Sequence, residues 1–316
     1  MPPIARLSDL IAHFMPSDGL ADCDLPRVTL IRSSSPTLPM PVVYEPSICL
    51  IAQGRKQVAL GDRLLVYDAE QYLVASVDMP VVGSVIGASR AAPYLCLQYK
   101  FDLAALGALS LEMGLPASGR EPAGLALHRL TPGLLDAFTR LVALLETPAD
   151  IPVLAPLIER EILYRLLTGS TAALMQHIAS QDSSLARVSR AIGWIKSHYR
   201  EPLTIEALAG HAGMSPSSLH AHFKSVTRLS PLRYRTQLRL QEARRLMIAE
   251  GLEAAQAGFR VGYESPSQFS REYARLYGAA PATDAVRART AEGSRFGSAV
   301  ARSAGRRAES ETLQHQ

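Results

Sequence analysis

The sequence predicts an α+β chain. A β-rich first half, flanked by helices, precedes an all-α segment with two helix–turn–helix units. Three observations predict this. Short β-rich runs alternate with turn signals between residues 28 and 102. Helical spacing of apolar residues resumes from residue 103. A nine-residue pattern that starts at Ser215 returns at Ser265, fifty positions later.

Ile4, Leu7, Leu10, Ile11 and Phe14 have the spacing of an amphipathic helix over residues 1–15. Strands are then predicted over 28–32, 48–53, 57–60, 63–67, 71–77, 82–86 and 94–101. Gly54, Gly61-Asp62, Met79-Pro80 and Ala92-Pro93 punctuate them. Seven strands at that spacing predict a sandwich or small barrel. Residues 103–180 read as helical, most clearly over 134–145 and 153–167. In the second of these, Leu154, Leu157, Ile158, Ile162 and Leu166 form an apolar stripe beside Glu159 and Arg165. That stripe serves either as core or as a seam between two copies. The polar stretch 180–184 has no periodicity and reads as a linker. The expected domains are 1–180 and 188–290, joined by a linker at 181–187. The Ala/Ser/Arg/Glu-rich tail at 291–316 reads as disordered.

With 316 residues, 47% of them hydrophobic, the chain can build about two packed domains. No uninterrupted apolar run approaches 18 residues, and no secretory leader is evident, so neither a membrane partner nor export is expected. Cys23, Cys49 and Cys96 cannot all pair within one chain, which fits free thiols in a reducing cytoplasm. Charge is unevenly spread. Residues 1–185 carry a net −5, whereas residues 186–290 carry +8, with 14 Arg against 2 Lys. A basic block beside an acidic one fits a polyanionic partner for the basic part, or a basic surface with no partner.

The repeat has a physical logic. Ser215-Pro216 and Ser265-Pro266 each place a capping hydroxyl before a proline whose missing amide costs nothing at the first helical position. Leu219 and Phe223, one turn apart, face inward. Ser217, Ser218, Ala221 and His222 lie outside that seam. Upstream, Thr204 caps a helix that ends near Gly213, and Gly262-Tyr263 occupies the corresponding turn of the second unit. A long basic helix over 232–249 joins the two units. Two such units in a basic domain suit major-groove recognition of double-stranded DNA.

These residues resemble the DNA-binding domain of AraC-type transcriptional regulators. The resemblance rests on Leu203-Thr204-Ile205-Glu206-Ala207-Leu208-Ala209, Leu219-His220-Ala221-His222-Phe223-Lys224, Ser230-Pro231, and Gly262 through Tyr273 with Gly278 and Pro281. The stretches 47–56, 67–74 and 76–81 are similar to the N-terminal arm-and-barrel domain of one branch of the family. The resemblance implies a cupin-like β-barrel with a helical dimerisation segment, then the all-α domain. It also implies a homodimer, a promoter operator, a small-molecule effector and RNA polymerase as partners, with no cofactor. By position it assigns base-facing roles to Ser217, His220 and Ala221, and to Ser267, Ser270 and Arg271. Lys224 matches a phosphate-facing position. Ala274 stands where its repeat equivalent would be basic, and Arg275 is the substitute.

Other chemistries weigh less. None of the eight histidines falls between residues 28 and 102, which argues against an imidazole-bound metal or a catalytic barrel. His220 and His222, two apart on a helix, point to different faces. The sequence Gly87-Ala88-Ser89-Arg90-Ala91 faintly resembles a nucleophile elbow but lacks a following helix. Cys49 and Cys96 are either small buried hydrophobes or sensors of an oxidant or electrophile. Tyr67, Tyr72, Tyr94 and Tyr99 are alternative lining residues for an effector. The expectation is a cytoplasmic, non-enzymatic, DNA-binding regulator, an activator or a repressor, with an enzyme on the barrel or a constitutive DNA binder as alternatives.

Overall fold

The computed structural model describes residues 3–61, 63–115, 123–180 and 183–295. Helix α1 (Pro3–Phe14) leads into strands β1 (Gly19–Asp22), β2 (Val28–Ser33), β3 (Met40–Tyr44), β4 (Ser47–Gln53) and β5 (Arg55–Leu60). Strands β6 (Arg63–Asp68), β7 (Gln71–Ala75), β8 (Met79–Gly87) and β9 (Tyr94–Lys100) follow. Next come α2 (Leu103–Glu112), β10 (Leu125–Arg129), α3 (Pro132–Ala143), α4 (Ile151–Thr168) and α5 (Ala172–Ala179). The remainder is helical: α6 (Ser184–His198), α7 (Ile205–Ala212), α8 (Pro216–Thr227), α9 (Pro231–Ala249), α10 (Ala254–Arg260), α11 (Pro266–Tyr277) and α12 (Pro281–Arg295). The chain divides into two compact units, residues 1–192 with 209–230, and residues 193–208 with 231–316.

In the first unit the strands form two antiparallel sheets instead of one closed ring. The six-stranded sheet has the order β1-β2-β9-β4-β7-β10, and the four-stranded sheet the order β3-β8-β5-β6. The chain changes sheet between β4 and β5 at Gly54, whose φ is 89°. A Cβ there would lie 2.4 Å from the Gly87 carbonyl oxygen, so only glycine fits the corner. Bulges at Ile51/Gln53 and Arg55/Lys56 flank that corner.

Alternation along the strands gives the six-stranded sheet two different faces. Ile48, Leu50, Ala52, Tyr72, Val74, Leu95, Leu97 and Tyr99 pack into one core with α1 to α5, where Leu106, Phe138, Ile162 and Met175 are fully buried. The intervening residues Cys49, Ile51, Tyr94 and Cys96 turn away from the helices. Arg27, at φ 63°, fixes the helical layer to the sheet by pairing with the buried carboxylate of Glu159 on α4.

All seven predicted strands are present. The sequence reading missed β1, β3 and β10, and each omission has a physical reason. Strand β1 has four residues. Strand β3 carries Pro41, which an edge strand tolerates. Strand β10 corrects the helical reading of residues 125–129. It is an edge strand with only Leu125 buried, so no alternation marks it. It also brings His128 into a sheet that was expected to hold no histidine.

The expected linker is narrowed, because residues 184–187 open α6; residues 181–182 lie outside the described residues. Residues 291–295 of the expected disordered tail belong to α12, and 296–316 lie outside the described residues.

The second unit is helical. Leu240, Leu246 and Met247 of α9 pack with Ala257, Val261, Tyr263, Phe269, Tyr273 and Ala285. The Tyr273 hydroxyl donates to Asp284 Oδ2 at 2.7 Å, and Arg244 Nε donates to the same oxygen at 2.7 Å. Burial, with that carboxylate as the next cause, pushes the Tyr273 phenol up, so it remains a donor.

Helices α8 and α11 each end in a left-handed residue, Arg228 at φ 61° and Gly278 at φ 72°. An L side chain in that region costs about 1 kcal/mol or more. Arg228→Gly is therefore expected to raise stability by about 0.5–1 kcal/mol in urea denaturation. An unchanged or lower midpoint would show the strain is absent.

Candidate nucleic-acid interface and the inter-sheet cluster

The two repeat units build the same local device from the same residue types. Gly213 at φ 67° ends α7, with the Met214 amide donating to the Ala209 carbonyl at 2.9 Å. Gly262 at φ 92° ends α10, with the Tyr263 amide donating to the Gly258 carbonyl at 3.0 Å. The Ser218 amide donates to the Ser215 hydroxyl, and the Gln268 amide to the Ser265 hydroxyl, both at 3.3 Å. The turn glycines are 49 residues apart whereas the capping serines are 50 apart. Glu264 is the extra residue in the second turn.

On α8, Leu219, Phe223 and Val226 are buried. Ser217, His220, Ala221 and Lys224 are all exposed, and their spacing puts them on one helix face. On α11, Phe269 and Tyr273 are buried, Ser267, Arg271 and Arg275 are exposed, and Ser270 is half-buried. A surface concavity of about 420 Å³ on α11 is lined by Gln268, Arg271, Glu272 and Arg275. Arg275 thus shares a face with Arg271, displaced from the line through Ser267 and Ser270.

Gln268 was missed by the sequence reading. Its Nε2 donates to Glu272 Oε1 at 3.1 Å, and Glu272 also accepts from the Tyr263 hydroxyl at 2.6 Å. A glutamine held this way has the groups for bidentate adenine contact.

The +8 charge is only partly available to a partner. Arg187 and Arg190 donate to the Gly213 and Ala212 carbonyls. Arg239 donates to Tyr199 and Gly262 carbonyls, and Arg235 to that of Glu201. Arg244 pairs with Asp284, Arg245 with Glu242, and Arg260 with Glu250. Lys224, Arg228, Arg271, Arg275, Arg287 and Arg289 are exposed and have no carboxylate partner among the described residues.

A second cluster lies between the two sheets. Cys49, Cys96 and Tyr94 reach it from the six-stranded sheet. Tyr67 reaches it from the four-stranded sheet, together with Tyr44 and Lys56, which the sequence reading did not single out. Tyr72 and Tyr99 are on the opposite, helix-facing side. Tyr72 stacks on His128 at 5.8 Å, and Tyr99 meets Phe138 edge-on at 5.8 Å. Both are therefore corrected as lining residues.

Burial pushes the Cys49 thiol up to about 12 and raises Cys96 as well. Both stay thiols, which removes the physical basis for an electrophile sensor. Ser89 accepts the Ala92 amide at 3.0 Å within its turn, so it is not presented as a nucleophile. No group of three or more metal-ligating side chains occurs among the described residues. No single described helix is long and apolar enough to cross a membrane.

Two outcomes follow from this geometry. Iodoacetamide at pH 8 is expected to leave Cys49 and Cys96 unmodified in the folded protein, since both are buried and burial works against either thiolate; for Cys49 about one thiol in ten thousand ionises at that pH. Rapid alkylation of either would show that the cluster opens. If α8 and α11 read a duplex as the family resemblance implies, Arg271→Ala costs about 1–3 kcal/mol at one base position, whereas Lys224→Ala weakens all duplexes alike and lowers the salt slope by about one. Competition titrations over mutated duplexes separate the two behaviours.

Comparison with known proteins places this architecture. The N-terminus of AraC-type transcriptional regulators matches residues 24–174, and a helix-turn-helix domain matches residues 208–285. The HTH-type transcriptional activator RhaS of Citrobacter koseri is 28% identical over 155 residues, 48% of this chain and 55% of RhaS. RhaS of Salmonella schwarzengrund matches to the same extent. The chain spans about half the length of the curated relatives it matches. ToxT from Vibrio cholerae O395 superposes with a TM-score of 0.52 at 12% identity, over 82% of this chain and 96% of ToxT. Vibrio cholerae ToxT with an unsaturated fatty acid bound gives 0.53 at 13% identity, over 82% and 93%. At such identity the likeness is one of fold, which accords with an antiparallel two-sheet part followed by helices. With both halves of its architecture matched, this chain belongs to the AraC-type transcriptional regulators.

Proposed function

We propose that this chain is a sequence-specific, DNA-binding transcriptional regulator of the cytoplasm, with residues 188–290 as the DNA-binding domain and a small-molecule effector held between the two sheets. One observation carries the DNA reading. The same turn-and-cap geometry twice exposes a polar helix face, Ser217/His220/Ala221/Lys224 and Ser267/Ser270/Arg271, while most neighbouring arginines are consumed internally. Arg271 would pair bidentately with guanine, Lys224 would take phosphate, and Ala221 would offer only apolar contact, such as to a thymine methyl. Each unit would occupy one of two successive major-groove segments. No catalytic step is part of this proposal.

A homodimer through α4 fits the exposure of Val153 (67%), Leu157 (62%) and Tyr164 (50%) along one side of an otherwise packed helix. RNA polymerase is the further partner that an activator would need.

The route by which the effector part reaches α8 is part of the proposal. The Ser76 amide and hydroxyl, just after β7, both donate to the Gly124 carbonyl, and the Gly124 amide donates to Val226 of α8 at 3.0 Å. A Cβ at Gly124 would lie 2.6 Å from the Val226 oxygen. Gly124→Ala is therefore expected to change duplex affinity about threefold or more without touching DNA. Unchanged affinity in the folded variant would remove this route.

The overall reading is tested by selecting binding sites from random duplexes with the full chain. Enrichment of an asymmetric site of about 20 bp with two conserved patches one helical turn apart is the expected result. Weak, steeply salt-dependent binding without enrichment would contradict it.

A further inference from the structure

The space between the sheets is rich in donors and poor in acceptors. Lys56 points inward from β5, level with Val58 and Leu60 and directly across from Tyr67 on β6. Its ammonium lies 5.3 Å from the Tyr44 ring centre and 6.0 Å from that of Tyr94. No carboxylate pairs with it among the described residues. Asp68 and Glu45, on neighbouring strand ends, are engaged by Arg55 and Lys100. The hydroxyls of Tyr44, Tyr67 and Tyr94 are buried, and the polar groups beside them are Lys56, Cys96 and one another, with no anionic acceptor among them.

Burial works against the ammonium, and the Tyr44 hydroxyl beside it favours it, but the protonated Cys49 and Cys96 thiols supply no counter-charge. The aromatic faces of Tyr44 and Tyr94 offset part of the desolvation, but a ring quadrupole is not a counter-ion. Gly83 lets the lysine stem and the Tyr44 hydroxyl pack against the backbone of β8. A Cβ there would sit 3.4 Å from Lys56 Cε and 3.7 Å from the Tyr44 hydroxyl. A purely structural core would fill these positions with methionine, leucine and phenylalanine. One ammonium and three hydroxyls can together donate six protons, while the acceptors around them are tyrosyl oxygens and thiols. The missing component is an acceptor carrying a single negative charge.

We infer that the effector is a small organic monocarboxylate. Its carboxylate would pair with Lys56 and accept from the Tyr44 and Tyr67 hydroxyls, and its apolar body would lie against Ile51, Val58 and Leu65. This inference rests on the reading of the first unit as an effector domain. A dianion such as phosphate would leave one charge without a partner in the same space.

The test uses the full chain and measures melting temperature and titration calorimetry with benzoate, octanoate, their amides and inorganic phosphate. At least one carboxylate is expected to raise the melting temperature saturably, with its amide bound at least about tenfold more weakly. Lys56→Met should abolish that preference, and its ligand-free melting temperature should equal or exceed that of the wild type, because an unpaired cation has been removed. Lys56→Arg should retain the preference. Tyr67→Phe should weaken carboxylate binding about threefold or more at unchanged or higher ligand-free stability.

The inference is overturned if no carboxylate stabilises the wild type, if carboxylates and amides act alike, or if Lys56→Met melts well below the wild type, which would make the lysine structural. Binding to the selected duplex is measured on the same proteins. Intact duplex binding with indifference to carboxylate overturns this inference alone. A wild type without duplex selectivity overturns the regulator reading.

Discussion

The exposed faces of α8 and α11 depend on one backbone constraint, met twice. A helix must stop, reverse within two or three residues and restart with its new first turn capped. Gly213 and Gly262 meet the first demand by adopting positive φ. Ser215 and Ser265 meet the last by accepting an amide of the next turn. An arginine 49 residues from its counterpart steadies each turn from a preceding helix. Arg190 holds the Ala212 carbonyl, and Arg239 holds that of Gly262. The direction in which α8 or α11 leaves its turn is set by these few bonds. So, in consequence, is the set of side chains each helix presents. A basic surface alone would bind any duplex. A fixed helix face gives sequence discrimination a structural basis.

The inter-sheet cluster depends on a different constraint, the two-residue period of the six-stranded sheet. Ile48, Leu50, Leu95 and Leu97 are committed to the helical layer. Cys49, Ile51, Tyr94 and Cys96 are thereby committed to the space between the sheets. A slip of one residue in β4 or β9 would exchange the two sets and place a thiol-and-phenol face against α1 and α3. The apolar core thus fixes the polar cluster, although the two share no side chain. Arg27 and Glu159 extend the same frame to α4, whose exposed side carries the apolar residues proposed for self-association.

What the sequence made legible was local chemistry. Ser-Pro starts, glycine stops and the inward pair Leu219/Phe223 are decided within a few residues, so both units could be read. The eight candidate DNA-facing positions came from the family resemblance, and seven of them are exposed, with Ser270 half-buried. What stayed hidden was decided by tertiary contact. Strand β10 exists because β7 offers an edge, and only through it does His128 reach a sheet. Lys56, one of four lysines in the chain, gave no signal until β5 was placed with its Lys56/Val58/Leu60 face inward. Tyr72 and Tyr99 could not be separated from Tyr67 and Tyr94 without the strand phase. A count of basic residues could not reveal that Arg235, Arg239 and Arg244 are spent on carbonyls and a half-buried aspartate. Gln268 gave no signal, because its role depends on Glu272 and Tyr263 holding it.

In the proposed regulator, two copies of one device read two separate stretches of one duplex. Hydroxyl-radical footprinting of the full chain on its highest-affinity duplex tests this most directly, with wild type and Arg271→Ala compared at equal occupancy. Two protected patches on one face of the helix, about one turn apart, are expected, with the variant weakening only one of them. A single continuous patch, or uniform loss of protection in the variant, would contradict it.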